Sequence, residues 1–259
     1  MDNLLKLKDK NIVIMGVANE RSIAWGVAKS LHQAGANLIF TYRKERSLAK
    51  LQKALDKNEI EARLIVACDI NHDEHIKEAF AAIGTEVGTI HGLVHSIAFA
   101  HGEDLKNRFV ETSREGYAFA QDTSAYSLIA VAREAQTLMT EGGSIIAMTY
   151  LGAERAVPGY NVMGVAKAAL ESAVKYLALD LGEQNIRVNA ISAGAIRTLA
   201  AKGIPSFNEI LHKIEAEAPL KRNVTQEEVG DMSLAMLSQL ARGVTGEIVY
   251  VDSGYNILG

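Results

Sequence analysis

The feature that most constrains the fold is an alternation running the length of the chain, in which short β-branched apolar runs are separated by longer amphipathic stretches. Strands are predicted at Asn11–Val17, Asn37–Tyr42, Arg63–Ala67, Gly92–His95, Ser144–Thr149, Arg187–Ile191 and Glu247–Val251. A strand followed by a helical crossover returns parallel to its predecessor, and such a sheet must be covered by helices on both faces. Seven of them predict an α/β fold, a Rossmann-like doubly wound parallel sheet with strand order 3-2-1-4-5-6-7. With 259 residues, 48% of them hydrophobic and only three Pro, the chain can bury one ample core, so residues 1–259 are expected to form a single domain. The helical stretches Thr112 to Thr140 and Tyr160 to Leu181 hold more Ala, Leu and Val than one sheet-facing stripe needs, which predicts subunit contacts. The long segment from Gly194 to Phe207 opens a predicted lid of loop and helix over about 194–217.

Composition removes several function classes. A formal charge of −4 argues against a nucleic-acid footprint. The single cysteine, Cys68, excludes an internal disulfide and a thiol metal cluster, and reads as a small buried residue at a strand end. Met1 to Lys10 alternates Leu with Lys and Asp and is not read as a signal peptide, and no apolar run reaches the length of a bilayer span. No membrane insertion and a cytoplasmic location are the expectations. His72 and His75 fall at i,i+3 and His91 and His95 bracket a strand, but without further ligands at metal spacing they read as structural. Ser144 and Ser192 lack a nucleophile turn.

The strand-to-helix turn after the first strand, Gly16-Val17-Ala18-Asn19-Glu20-Arg21-Ser22-Ile23-Ala24-Trp25-Gly26, stands where a Rossmann sheet receives a pyrophosphate on backbone N–H groups and a helix N-terminus. Gly16 permits a tight turn, Gly26 a close helix-to-sheet approach, and Ser22 offers a hydroxyl before Ile23; an ordinary N-capped helix is the alternative. After the second strand, Arg43 and Lys44 suit the 2′-phosphate of NADPH, although the same residues also read as a solvated charge run, so NADH stays possible. Asp69, followed by Ile70, is placed to accept from an adenine amino group or to close an Asx-turn. Ser96, Ile97 and Ala98 are placed to pass beneath ribose and nicotinamide.

Tyr160 and Lys167 can act together on a reducible substrate, although a helical Tyr and a surface Lys also coincide by chance. Seven helical steps return both to one face with a rise of roughly 10.5 Å, and the Lys side chain leans back toward the helix N-terminus. A cofactor ribose fits between such a pair, and a nearby cation is expected to lower the Tyr pKa.

Taken together these elements resemble the short-chain dehydrogenase/reductase superfamily, although ordinary members carry Tyr-x-x-x-Lys and this chain does not. Tyr150-Leu151-Gly152, Tyr160 ten residues on, Lys167, Ser96-Ile97-Ala98-Phe99-Ala100 and Arg187 to Gly194 are similar to the bacterial enoyl-acyl-carrier-protein reductases that use NAD(P)H and are sensitive to triclosan. The similarity runs from about Lys10 to Gly254. It implies hydride addition to a trans-2-enoyl thioester on acyl carrier protein, Tyr160 stabilising the enolate oxygen, Lys167 holding the nicotinamide ribose, and Tyr150 lining the acyl pocket. It further implies cofactor contacts at Gly194, Ile196 and Thr198, an acyl site at Ala100, Tyr150, Tyr160, Met163 and Phe207, a closing loop, and a homotetramer. Ala195 stands where the family pattern often has Pro, which predicts a looser hinge. Arg197, Lys202, Lys221 and Arg222 are placed to receive an acidic carrier or to be plain surface charge. A carbonyl or alcohol dehydrogenase and a non-catalytic dinucleotide sensor are the competing functions.

Overall fold

The computed structural model describes residues 2–199, 201 and 207–258. Its strands are β1 (Asn11–Met15), β2 (Asn37–Tyr42), β3 (Ala62–Ala67), β4 (Gly92–His95), β5 (Gly143–Thr149), β6 (Ile186–Ala193) and β7 (Ile248–Val251). They form one seven-stranded sheet in the order β3-β2-β1-β4-β5-β6-β7, every pairing parallel, as the alternation predicts. The edges differ from expectation for local reasons. β1 stops at Met15, not Val17, because Gly16 takes φ 94 and turns the chain. β6 runs on to Ala193, where it still pairs with Val251 of β7.

The helices are α1 (Asp2–Leu5), α2 (Ile23–Gln33), α3 (Glu45–Lys57), α4 (Asp73–Glu86), α5 (Gly102–Lys106), α6 (Arg114–Gln121), α7 (Ser127–Leu138), α8 (Asn161–Leu181), α9 (Phe207–Glu217) and α10 (Gln226–Leu237). The stretch expected as one helix from Thr112 to Thr140 is divided by a π-helical turn, Asp122–Tyr126, between α6 and α7. Hydroxyls serve this wider turn. Ser127 Oγ donates to Thr123 O at 2.8 Å, and Ser124 Oγ bonds the backbone of Phe99.

Side chains alternate across each strand, so the sheet has two buried faces. Val13, Met15 and Leu93 pack with Ile76 and Phe80 of α4, Leu128 and Val131 of α7, and Leu170 and Val174 of α8. Ile12, Ile14 and Phe40 face the other way, onto Trp25 and Leu31 of α2, Leu51 of α3 and Val229 and Leu237 of α10. Gly26 proves to serve a helix-to-helix approach, not a helix-to-sheet one. A Cβ there would lie 2.3 Å from Gln226 O, and one at Gly230 would lie 2.6 Å from Gly26 O. Cys68 is buried just past β3, as its type suggests.

β1 sits between β2 and β4, so the connections leave it in opposite directions and open a crevice at the strands' carboxyl ends. Among the described residues no helix is long and apolar enough to cross a membrane.

Candidate active site

The turn after β1 is shaped by backbone first. At Gly16 a Cβ would lie 2.0 Å from Ser96 O, so this turn and the loop after β4 touch main chain to main chain. Ser22 precedes α2 with extended φ/ψ but does not cap it. Its hydroxyl instead accepts from the N–H groups of Ala18 at 3.0 Å and Asn19 at 3.1 Å, drawing the turn closed while Ile23 opens the helix. Gln226 of α10 donates through Nε2 to Glu20 O and Ser22 O, a brace with no sequence signal at all. A cavity of about 190 Å³ lies against this turn, lined by Asn19, Glu20, Arg21 and Leu199.

At the ends of β2 and β3 the charges partner each other. Arg43 Nε donates to Asp69 Oδ2 at 2.9 Å, and Asp69 Oδ1 accepts from Asn71 N–H at 3.3 Å. Burial raises the Asp69 pKa, but the Arg43 guanidinium and the Asn71 N–H outweigh it and hold the carboxyl below its ordinary value. Both Asp69 oxygens are therefore engaged, Oδ1 in the Asx-type turn that is the alternative to adenine recognition and Oδ2 with Arg43. Ile70 is buried in the core below. Lys44 is exposed at the N-cap of α3.

The reacting end, around β5 and α8, is more enclosed, with Lys167 buried and Tyr150 and Tyr160 partly buried. Tyr150 continues β5 in extended conformation, and its ring meets Tyr160 edge to face at 5.0 Å. Two glycines make that contact possible. A Cβ at Gly152 would lie 2.4 Å from Tyr160 Cδ1, and one at Gly164 would lie 2.7 Å from Gly152 O. Tyr160 is the N-cap of α8, and Asn161 begins the helix at φ 41. The interval to Lys167 is thus not seven regular helical steps, as the spacing alone suggests. Asn161 tolerates this backbone because its Nδ2 donates to Leu105 O at 3.1 Å and Asn107 O at 2.8 Å, fastening the start of α8 to α5.

Lys167 is 5% exposed and donates from Nζ to Met148 O at 2.6 Å. Burial brings its pKa down to about 8, against the opposing pull of Glu171. For Tyr160 the expected direction is reversed. Burial, then the neighbouring Tyr150 and Glu171, push its pKa up, because loss of water and nearby negative charge both disfavour the phenolate. The shift favours the protonated hydroxyl, which can donate. Tyr150 is likewise pushed up to about 12, by burial and then by Tyr255 and Asp252.

Sequence reasoning takes His95 as a structural residue at a strand end, and the structure places its Nε2 2.9 Å from Ser127 Oγ, with a pKa lowered to about 3 by burial and then by Lys167. It passes over Glu171, whose Oε1 accepts from Thr149 Oγ1 at 2.6 Å. A polar residue inside a helix gives no pattern by which to find it.

Two apolar clusters flank these groups. Ala100, Leu105, Ala120, Val162 and Met163 are buried together, with Ala98 and Tyr160 packed on them. Ile97 packs on the core instead. Phe207, expected in the acyl site, belongs to a separate cluster with Ala195, Leu211, Ile214, Ala218, Ile210 and Tyr255. Ala195 is buried there, so the position expected to loosen the hinge is anchored to α9. Arg197 Nη1 adds a bond to Asn208 Oδ1 at 2.9 Å. At Gly194 a Cβ would lie 2.9 Å from Val224 Cγ2; Ile196 packs on the sheet, and Thr198 Oγ1 accepts from Ala201 N–H at 3.1 Å. Residue 200 and residues 202–206, with Lys202 and part of the expected lid, lie outside the described residues. Arg222 is committed to Glu228 at 2.5 Å and Lys221 Nζ to Ala216 O at 2.9 Å, which leaves plain surface charge the better reading for both.

A doubly wound sheet, a glycine turn where it switches direction, and Tyr160 and buried Lys167 on the helix that follows β5 define an oxidoreductase of short-chain-dehydrogenase type. Residues 16–256 match the family model described as Enoyl-(Acyl carrier protein) reductase. The chain is 60% identical to the NADH-named FabI reductase of Bacillus cereus, over 98% of this chain and 99% of that one. It is 61% identical to the NADPH-named FabI of Staphylococcus aureus strain MRSA252, over 98% and 100%. A crystal structure of the B. cereus enoyl-acyl carrier protein reductase with NADP+ and indole naphthyridinone superposes with a TM-score of 0.96 at 60% identity, covering 98% of each chain. This chain belongs to the enoyl-(acyl carrier protein) reductase family.

Proposed function

We propose that the chain reduces the trans-2 double bond of enoyl thioesters carried on acyl carrier protein, in the elongation cycle of fatty-acid synthesis. The observation that carries this reading is a partly buried Tyr160, its pKa pushed up so that the hydroxyl keeps its proton, packed with Ala98 against the apolar Ala100 and Met163, with a buried Lys167 farther along α8. When bound, NADPH or NADH supplies the hydride that adds to the β-carbon. The negative charge that follows develops on the thioester oxygen, where Tyr160 donates a hydrogen bond that strengthens as the charge grows. One such donor supplies on the order of 2.7–4 kcal/mol of transition-state stabilisation. Tyr150 borders the acyl chain, and its ring fixes the Tyr160 ring edge to face.

The chain's own residues fit a dinucleotide. Gly16 lets the turn after β1 lie directly against the Ser96 backbone, which a Cβ would prevent, and the start of α2 presents its first N–H groups beside the cavity at Asn19 to Arg21. Lys167 carries the charge that suits the ribose hydroxyls, with Ser96 and Gly194 at neighbouring strand ends. NADPH is the favoured cofactor, since Arg43 is about half exposed and Lys44 lies open beside it. Arg43 then exchanges Asp69 for the 2′-phosphate. We further assign a homotetramer, supported by Tyr176 and Leu179 of α8, which stand 69% and 75% exposed on the face away from the sheet. The buried, unpaired Cys68 accords with the reducing cytoplasm.

The test is the initial rate of NADPH oxidation with a crotonyl thioester, set beside a panel of ketones. Turnover of the thioester is expected. Ketone reduction alone would assign a carbonyl reductase, and NADPH binding with no oxidation of either would assign a sensor.

A further inference from the structure

Lys167 and Glu171 are one helical turn apart on α8, and each reaches across to the carboxyl end of β5, where their bonds land on adjacent residues. Lys167 Nζ donates to Met148 O at 2.6 Å, and Glu171 accepts from Thr149 Oγ1 at 2.6 Å. Tyr150 is the next residue along the strand. Lys167, Glu171 and Thr149 are 5%, 9% and 4% exposed, so these bonds form away from water. A buried carboxylate is costly, and a hydrogen bond of this length does not by itself explain keeping one where Met or Leu would pack.

We propose that Glu171 and Thr149 are positioning residues: together they clamp the end of β5 onto α8, fixing the direction in which Tyr150 and Lys167 point, and Glu171 is the countercharge of the Lys167 ammonium. This rests on the reading that Lys167 holds the cofactor as a cation. The surrounding groups support it. Lys167 is acted on by Glu171 from its own helix and by His95 from β4, and His95 is held neutral, so Glu171 is its anionic neighbour. Glu171 faces Thr149 of β5, Glu154 from the turn after β5, Lys175 one turn on, and Tyr250 of β7. Burial raises the Glu171 pKa, and the Thr149 hydroxyl, Lys175 and Lys167 oppose that rise. Loss of the Glu171 charge favours neutral Lys167, so the pH above which Lys167 releases its proton must fall.

The experiment follows NADPH affinity by nicotinamide fluorescence and kcat, each against pH, for the unaltered protein, Glu171→Gln, Thr149→Val and Thr149→Ser, with thermal midpoints alongside. Glu171→Gln keeps the acceptor for Thr149 and removes the charge. The pH at which NADPH binding weakens is expected to move down by about 0.5 or more, and kcat to fall about tenfold. Thr149→Val is expected to lower kcat by a similar factor, and Thr149→Ser to restore it, because the serine hydroxyl can make the same bond. A Glu171→Gln protein with an unmoved alkaline limb would overturn the countercharge, and Thr149→Val with unaltered kcat would overturn the clamp. The Val and Ser comparison decides even where Glu171→Gln is too unstable to purify. Failure of the unaltered protein to reduce any enoyl thioester would remove the functional reading, while the binding titration still reports on the pair.

Discussion

At the carboxyl ends of β1 to β3 the groups that face the crevice are backbone amides and exposed charges; at β4 to β6 they are side chains buried or partly buried. The first region gets its shape from Gly16, from the Ser22 hydroxyl that gathers the N–H groups of Ala18 and Asn19, and from Arg43 set against Asp69. Its charges stay close to solvent and are cheap to exchange for a ligand. In the second region burial is the main cause that moves Tyr160 and Tyr150 up and Lys167 and His95 down. The contrast teaches a division of labour. Binding is spread over many weak and replaceable contacts, whereas chemistry depends on a few groups whose protonation is set by exclusion of water.

The sharpest way to break the comparison is to add a small side chain on each side. Gly16→Val meets both φ 94 and the Ser96 carbonyl, so a loss of about 2–5 kcal/mol in stability is expected, read from the denaturant midpoint, together with loss of NADPH binding. Gly152→Ala is expected to displace the Tyr160 ring and lower kcat about a hundredfold while cofactor affinity changes little. Equal damage to binding and kcat by both substitutions would erase the distinction.

Acid comes next in size, and its buried target is His95 in the enclosed region. The His95 pKa lies at about 3 in the folded chain, below the free value of 6.5, so the unfolded chain binds the extra proton first. Stability contributed by neutral His95 is complete above pH 6.5 and is lost as pH falls toward 3, by roughly 1.4 kcal/mol per pH unit. Unfolding curves between pH 7 and 4 should show His95→Asn less steeply pH-dependent than the unaltered protein. Parallel slopes would contradict the assignment.

The smallest effect belongs to the open region. Neutralising Arg43 and Lys44 is expected to shift the NADPH to NADH ratio of kcat/KM about tenfold toward NADH, with stability unchanged, since an exposed Arg–Asp pair contributes little to folding. An unmoved ratio would make the two residues ordinary surface charge.

Much of the architecture could be read beforehand, because period and spacing are backbone properties: the apolar runs mark the strands and the parallel class, while the family rests on a resemblance at several motifs from Gly16 to Gly194. What depends on three-dimensional contact stayed hidden. Nothing in the sequence says that Ser22 braces its own turn, that Gly152 makes way for Tyr160, or that Glu171 reaches Thr149. The direction of the Tyr160 shift was misread for the same reason. Spacing reveals that a cation is near, but only burial reveals that water is gone. The π-helical turn at Asp122–Tyr126 escaped because its sequence has ordinary helix-compatible residues, with Ser124 and Ser127 bonding locally once folded.

The most direct measurement pairs two variants in one assay of kcat and NADPH dissociation constant with a crotonyl thioester: Tyr160→Phe and Lys167→Ala. A buried neutral donor beside a cofactor-holding cation predicts that Tyr160→Phe loses kcat by about a hundredfold or more with NADPH affinity nearly intact, while Lys167→Ala loses both. Equal losses of affinity in the two variants, or a Tyr160→Phe protein with undiminished kcat, would contradict the account.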